Sequence, residues 1–342
     1  MPGPTVPLDA WEAAVVGRAP GVARVGLAVP LSGPLAMTAP SALDLAGLAA
    51  DELNEAGGVR GRALELVAVD AGRRPAEVAA EAAALHAAGA VDVLVGFSTS
   101  DVSRAVAGAL AGRAGYVFTP PHEGGRSTGG VLRIGSSPLG QHAAALAWLV
   151  RRRRARRWVL LGTDYVWPQA VHRAARAVLR ELGAEVVGEL LVPFGPADPG
   201  PALDLVRRSR ADAVLLSLVG RDLVAFNRAF ARAGLDRRVV RLSGALEENG
   251  LYAVGGDGSG ELYACMPSFA AGAGATDEGQ LALQERLAAR AGPDAPVVCA
   301  YARGVYDGVR TAAGLLAGEP APPVRAPRSR LARADGLVFR EV

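Results

Sequence analysis

Val91-Asp92-Val93-Leu94-Val95-Gly96-Phe97-Ser98-Thr99-Ser100-Asp101 is the stretch that decides the fold. Its first seven residues are apolar but for one, rich in valine and too short to be a helix, which is how a strand covered on both faces reads. Its last four carry hydroxyls and a carboxylate and open a helical pattern. A buried strand that passes through a polar loop into a helix is the repeating unit of a doubly wound parallel sheet.

The same alternation extends outward in both directions. Runs at 22–30, 63–70 and 115–120 read as companion strands. Between them, Ser41 reads as the cap of a helix whose Leu43, Ala46, Ala50 and Leu53 recur at helical spacing and which Gly57-Gly58 ends. Pro75 opens the next helix and Gly89 closes it. A second series of strands at 158–164, 184–194, 212–220 and 239–244, with helices starting near Pro168 and Arg221, makes a second sheet. The fold class expected is therefore α/β, with two doubly wound parallel-sheet lobes joined by several chain crossings that act as a hinge. Residues 22–134 with 265–316 form lobe 1, residues 135–264 with 317–342 form lobe 2, and residues 1–21 are an N-terminal extension. The Pro-rich stretch 318–327 reads as an irregular linker, and a strand-like run at 336–339 ends the chain.

Composition sets the outer limits. The 342 residues suffice for two lobes, each with its own core, and with 50% hydrophobic but only 5% aromatic residues that core is built mainly of Ala, Val and Leu. All 37 basic residues are arginine, and the net charge is only +3, too small to point to nucleic acid or an anionic membrane without a localised patch. The one visible cluster, Arg151 to Arg154 with Arg156 and Arg157, reads as a solvated helix end. Cys265 and Cys299 are isolated from each other and from any histidine at ligand spacing, so no metal is expected. There is no run long and apolar enough for a membrane span. The first 21 residues lack the order of a signal peptide, so the location expected as written is cytoplasmic, and periplasmic or cell-surface if the start is misassigned.

In open α/β sheets ligands sit at the carboxyl ends of the strands. Those loops hold Ser98, Thr99 and Ser100, where Ser100 or Asp101 serves as helix cap, as ligand contact, or as both; then Phe118, Thr119 and His122; then Tyr165 and Trp167; then Val219, Gly220, Ser243 and Gly244. For Trp167 two readings stand, the wall of a pocket or core beneath the loop. His122 is the one histidine of four on a strand-end loop; His86, His142 and His172 fall in helical stretches. Asp70, Asp164 and Glu247 can be read as acid/base carboxylates, but none comes with a partnered base, and no dinucleotide, phosphate or metalloprotease motif is present. The expectation is a binder rather than an enzyme, without cofactor.

Pro30-Leu31-Ser32-Gly33-Pro34-Leu35, the run Ala50-Asp51-Glu52-Leu53-Asn54-Glu55-Ala56-Gly57-Gly58-Val59-Arg60-Gly61-Arg62, and Val95-Gly96 before the serine-rich loop resemble the first lobe of type I periplasmic binding proteins, from about Val22 to the end. Gly162-Thr163-Asp164-Tyr165-Val166-Trp167-Pro168, with Glu123-Gly124 upstream, is similar to the amide and urea branch, which includes uptake receptors and a cytoplasmic amide-sensing regulator of an amidase operon. The resemblance implies that Ser100 grips the ligand, that Tyr165 closes over it from the second lobe, and that Trp167 is a second aromatic. Ser98, Phe118 and His122 depart from the tyrosines of the amide sensor. The function so implied is closure on a short-chain amide, urea or related molecule. Its partners would be a regulatory protein, or an ABC permease if the chain is the substrate-binding subunit of an importer for branched-chain amino acids or amides. A homodimer is compatible with the same reading.

Overall fold

The computed structural model describes residues 4–125, 130–195, 198–270, 277–321 and 328–342. In chain order the first elements are β1 (Leu8–Asp9), α1 (Ala10–Val16), β2 (Val22–Val29), α2 (Ala39–Glu55), β3 (Ala63–Asp70), α3 (Pro75–Ala87), β4 (Val93–Gly96), α4 (Ser100–Leu110), β5 (Gly115–Phe118) and β6 (Val131–Arg133). Next come α5 (Pro138–Arg152), β7 (Arg157–Thr163), α6 (Val166–Glu181), β8 (Glu185–Val192), α7 (Gly200–Ser209), β9 (Ala213–Ser217), α8 (Gly220–Arg232), β10 (Val240–Ser243), α9 (Glu248–Val254) and β11 (Leu262–Met266). The chain finishes with α10 (Glu278–Ala291), α11 (Ala300–Leu316), β12 (Arg330–Asp335) and β13 (Val338–Glu341).

These elements fall into two units. Unit 1 is Met1–Pro120, Gly125–Gly135 and Thr276–Ala326, and unit 2 is Pro121–Gly124, Ser136–Ala275 and Pro327–Val342. Unit 1 holds a parallel sheet in the order β1-β3-β2-β4-β5-β6. Side chains alternate across it as the pleat demands. Val25, Leu27, Val93 and Val95 enter the core under α2 and α11, whereas Ala28, Leu94 and Tyr116 enter the core under α3 and α4. Burying a leucine such as Leu94 contributes roughly 2 kcal/mol. Unit 2 has the order β13-β12-β11-β10-β9-β7-β8, with β12 antiparallel to both neighbours.

Several expectations from sequence change here. Residues 4–21, expected as part of an extension over 1–21, are not an appendage, because Leu8 pairs with Val67 and makes β1 the edge strand of unit 1. The return to unit 1 comes later than residue 265, because Ala264 pairs with Ser243 and Cys265 with Leu331, which fixes all of β11 in unit 2. His122 and Glu123 belong to unit 2 rather than lobe 1, His122 N–H donating to the Ser136 carbonyl. Ser41 is not a cap; α2 starts two residues earlier, with Pro40 in its first turn, and Ser41 is buried. Pro75 does open α3, and Gly89, at φ 66°, ends it with the Ala90 N–H bonded to the Leu85 carbonyl. Of the linker expected at 318–327, residues 322–327 lie outside the described residues.

Candidate functional site

In unit 1 the carboxyl ends of β4 and β5 bring together Phe97 to Asp101 and Phe118 to Thr119. Thr99 is the N-cap of α4, yet neither it nor Ser100 nor Asp101 makes a side-chain cap bond to the helix. The first turn of α4 therefore presents backbone donors and the Ser100 hydroxyl, while the Asp101 Oδ1 is buried without a partner. Ser98 and Ser100 are buried, and the Ser98 hydroxyl donates to the Thr99 carbonyl at 3.2 Å. The Thr119 N–H and hydroxyl both donate to the Gly96 carbonyl, at 2.9 and 3.2 Å, which ties the two strand ends together. Gly96 is required beneath them, since a Cβ there would run into the Tyr116 hydroxyl. Burial pushes that hydroxyl up to about 12, so it stays neutral. Phe118, expected at the ligand surface, is a core residue at 1% exposure beside Tyr116.

One wall of this site was invisible in the sequence. Helix α11 lies against the strand ends, and Tyr301 in its first turn stacks on Phe97 with centroids 4.9 Å apart and planes at 24°. Gly308 permits the approach: a Cβ there would lie 2.6 Å from Thr119 Cγ2 and 2.8 Å from Val95 Cγ1. The one available signal was the apolar stretch over α11, which promised a return to the first lobe but singled out no side chain.

In unit 2 the carboxyl end of β7 places Tyr165 at the N-cap of α6, without a side-chain cap bond. Its ring packs 5.1 Å from Phe194, which follows β8, and 6.4 Å from Trp167. Trp167 itself is buried at 3%, which favours the core reading over the pocket wall. Gly162 and Gly244 serve the interior. A Cβ on Gly162 would lie 3.1 Å from His172 Nε2, and one on Gly244 would run into His142 Nε2. Burial holds His142 down to about 4 and also lowers His172, whose Nδ1 lies 2.7 Å from Glu189. Both rings are thus neutral near pH 7.

The remaining strand ends divide. Val219 caps α8 by its backbone and Gly220, at φ 53°, begins the helix in a conformation glycine adopts at no steric cost. Ser243 is turned inward, its hydroxyl accepting from Ala245 N–H at 3.1 Å, and the Gly244 carbonyl accepts from the Gln141 side chain at 2.7 Å. The same loop continues into two buried carboxylates, Glu247 and Glu248. Glu248 accepts from Ala270 N–H at 2.6 Å. Burial, opposed by that bond and helped by the charge of Glu247, pushes Glu248 up to about 7. His122 Nδ1 accepts from Gly124 N–H at 3.0 Å. Asp70 accepts from the Ser32 and Gly72 N–H groups in a turn, and Asp164 accepts from Gln169, so both have structural partners. Among the described residues no three His, Cys, Asp or Glu side chains gather as a metal site. No helix among them is long and apolar enough to cross a membrane.

A family profile described as periplasmic binding protein matches residues 22–323. Among solved structures, a periplasmic binding protein from Burkholderia mallei superposes with a TM-score of 0.79 at 16% identity, covering 95% of this chain and 94% of that one. A leucine binding protein from Thermotoga maritima gives 0.77 at 17%, covering 94% and 98%. A solute binding protein of an ABC transporter from R. palustris, in complex with benzoate, gives 0.75 at 17%, covering 94% and 96%.

Proposed function

The chain belongs to the periplasmic binding protein family, and from that premise we propose that it is a non-enzymatic receptor for a small polar molecule of the amide type, a short-chain amide, urea or a close relative. The observation that supports this ligand class is the first turn of α4. Within one helical turn it offers free helix-end donors and the Ser100 hydroxyl for a carbonyl oxygen, and an unpartnered carboxylate oxygen of Asp101 for an N–H. A primary amide or urea needs both. In this reading Ser98, Thr99 and Thr119 shape the site in unit 1, and Tyr165 is the candidate ligand contact among the strand ends of unit 2.

A second reading has its own support. Glu247 and Glu248 at the end of β10 are acceptors suited to an ammonium group, which fits the substrate-binding subunit of an ABC importer for branched-chain amino acids. A thermal-shift screen of short amides, ureas, branched-chain amino acids and benzoates separates the two. A ligand at 100 times its Kd adds about 2.7 kcal/mol of stability. The amide reading requires the shift from amides or ureas, and its loss in Ser100→Ala and Tyr165→Ala. A shift from amino acids alone, or one unchanged in both variants, ends it.

A further inference from the structure

The strands of unit 2 set out from a common edge: β7, β8, β9, β10 and β11 are mutually parallel, with Trp158 level with Ala213, Ala213 with Val240, and Arg241 with Leu262. In such a sheet each connecting helix ends at the edge where the next strand begins. The sequence fills those helix ends with arginine. Arg151 and Arg152 end α5, Arg180 ends α6, Arg207 and Arg208 end α7, and Arg232 ends α8. The loops that follow add Arg154, Arg210, Arg237 and Arg238, all exposed. Hydrogen bonds knit the pieces into one surface: Arg156 donates to the Leu182 carbonyl at 2.9 Å behind α6, and Arg157 to the Ser209 carbonyl at 2.9 Å behind α7.

One cation per helix end complements the helix dipole and needs no other explanation. The excess does. Four of the carboxylates at this edge are engaged, Glu261 with Arg153, Glu185 with Arg157, Asp204 with Arg207, and Asp212 with the backbone N–H groups of Arg156 and Arg157, which leaves Glu181 and Asp236 to offset the arginines. Among the described residues Arg151, Arg152, Arg154, Arg180, Arg208 and Arg238 have no carboxylate partner. The corresponding edge of unit 1 carries fewer such cations, Arg60, Arg62 and Arg113, while Arg18 and Arg24 near the start of β2 are paired with Asp92 and Glu65. In a chain with a net charge of only +3, this side of unit 2 thus carries more unpaired cations than carboxylates.

We propose that this edge is a docking surface for a bilayer rich in anionic phospholipid. From α5 to β10 no large apolar side chain is exposed along it. A protein interface draws its energy from buried aromatic and apolar anchors, which this edge lacks from α5 to β10; the exposed Tyr252, Leu337 and Val338 lie beyond it, beside the start of β11. The patch is broad, four strands at roughly 4.8 Å each, and carries neither a projecting element to enter a duplex groove nor aromatic platforms for unstacked bases. A dense headgroup layer needs only spread positive charge. The surface lies roughly 20 Å, the length of the seven residues of β7, from the strand tips that hold Tyr165, so lipid contact leaves those loops free.

The test is co-sedimentation of the full chain with vesicles of equal parts phosphatidylglycerol and phosphatidylcholine, against vesicles of phosphatidylcholine alone. Binding is expected only with the anionic vesicles at low salt, and its loss near 0.5 M salt, where the Debye length falls to about 4 Å. The triple variant Arg151→Gln, Arg152→Gln, Arg208→Gln should lower the partition coefficient about 100-fold, at roughly fivefold per arginine, with its circular dichroism melt unchanged. If that variant melts early, Arg180→Gln with Arg238→Gln serves in its place, with about 25-fold expected. No binding at low salt, equal binding to neutral vesicles, or displacement by duplex DNA at a lower phosphate concentration than the lipid's overturns the proposal.

Discussion

Glu248→Gln should change how the stability of unit 2 depends on pH, and the sign follows from burial. Glu248 is 2% exposed, with one oxygen bonded to Ala270 N–H and the other without a partner. Its pKa is raised from 4.5 to about 7, so the folded chain holds this proton more tightly than the unfolded chain does. The stability it contributes is complete below pH 4.5 and is lost as pH rises through 7, about 3 kcal/mol in all at about 1.36 kcal/mol per unit. His142 works the other way. Burial lowers it from 6.5 to about 4, so its contribution is complete above pH 6.5 and is lost as pH falls towards 4, again about 3 kcal/mol. Between about pH 4.5 and 6.5 these two slopes oppose each other, and His172, also lowered by burial, adds to the slope of His142.

The variant removes one of the two slopes. Urea unfolding followed by tryptophan fluorescence reports on unit 2, because Trp148, Trp158 and Trp167 all lie in it. Relative to wild type, Glu248→Gln should gain about 3 kcal/mol between pH 4.5 and 8, and should lose stability on acidification at about 1.4 kcal/mol per unit below pH 6.5. A difference between the two proteins that stays constant from pH 5 to 8 would show that Glu248 titrates as an ordinary surface carboxylate, and the reasoning from burial would fail.

Three further outcomes are expected. Asp257→Ala strands the Arg241 guanidinium, which is fully buried and 2.8 Å from the Asp257 carboxylate, and should cost about 3–5 kcal/mol in urea unfolding, whereas replacing Arg241 and Asp257 together by apolar residues should cost less. Gly308→Val forces α11 away from Thr119 and Val95; a loss of about 1–3 kcal/mol should appear in thermal melts, together with a weakened response to whichever compound shifts the wild type. Asp51→Ala removes the carboxylate that accepts from Thr5 N–H at 2.8 Å and pairs with Arg290 at 2.6 Å, so amide exchange of Leu8 and Asp9 should quicken while that of β5 does not change.

Much of the architecture was legible because it rests on local periodicity. The valine-rich run over β4 followed by hydroxyl residues, and Pro75 and Gly89 around α3, each state their own structure, and the two α/β sheets follow from their repetition. The loops that hold Ser100 and Tyr165 were legible for the same reason, since in a parallel sheet the carboxyl ends of the strands are known once the strands are.

What the sequence could not state was set by contacts between residues far apart in it. Leu8 belongs to a sheet only because β3 leaves an edge for it, and Cys265 stays in unit 2 only because Leu331 pairs with it. Phe118 and Trp167, plausible as pocket walls in a chain poor in aromatics, turn inward because the space beneath their strands has to be filled. Tyr301 reaches Phe97, next to the Ser98 to Ser100 loop, from two hundred residues away, on a helix whose Gly308 looks incidental until α11 is packed. The arginines of α5, α6, α7 and α8 become one surface only when the parallel sheet gathers their helix ends along one edge. Side-chain type and period, which are local, fixed the elements; partner and depth, which depend on distant chain, were decided by tertiary packing.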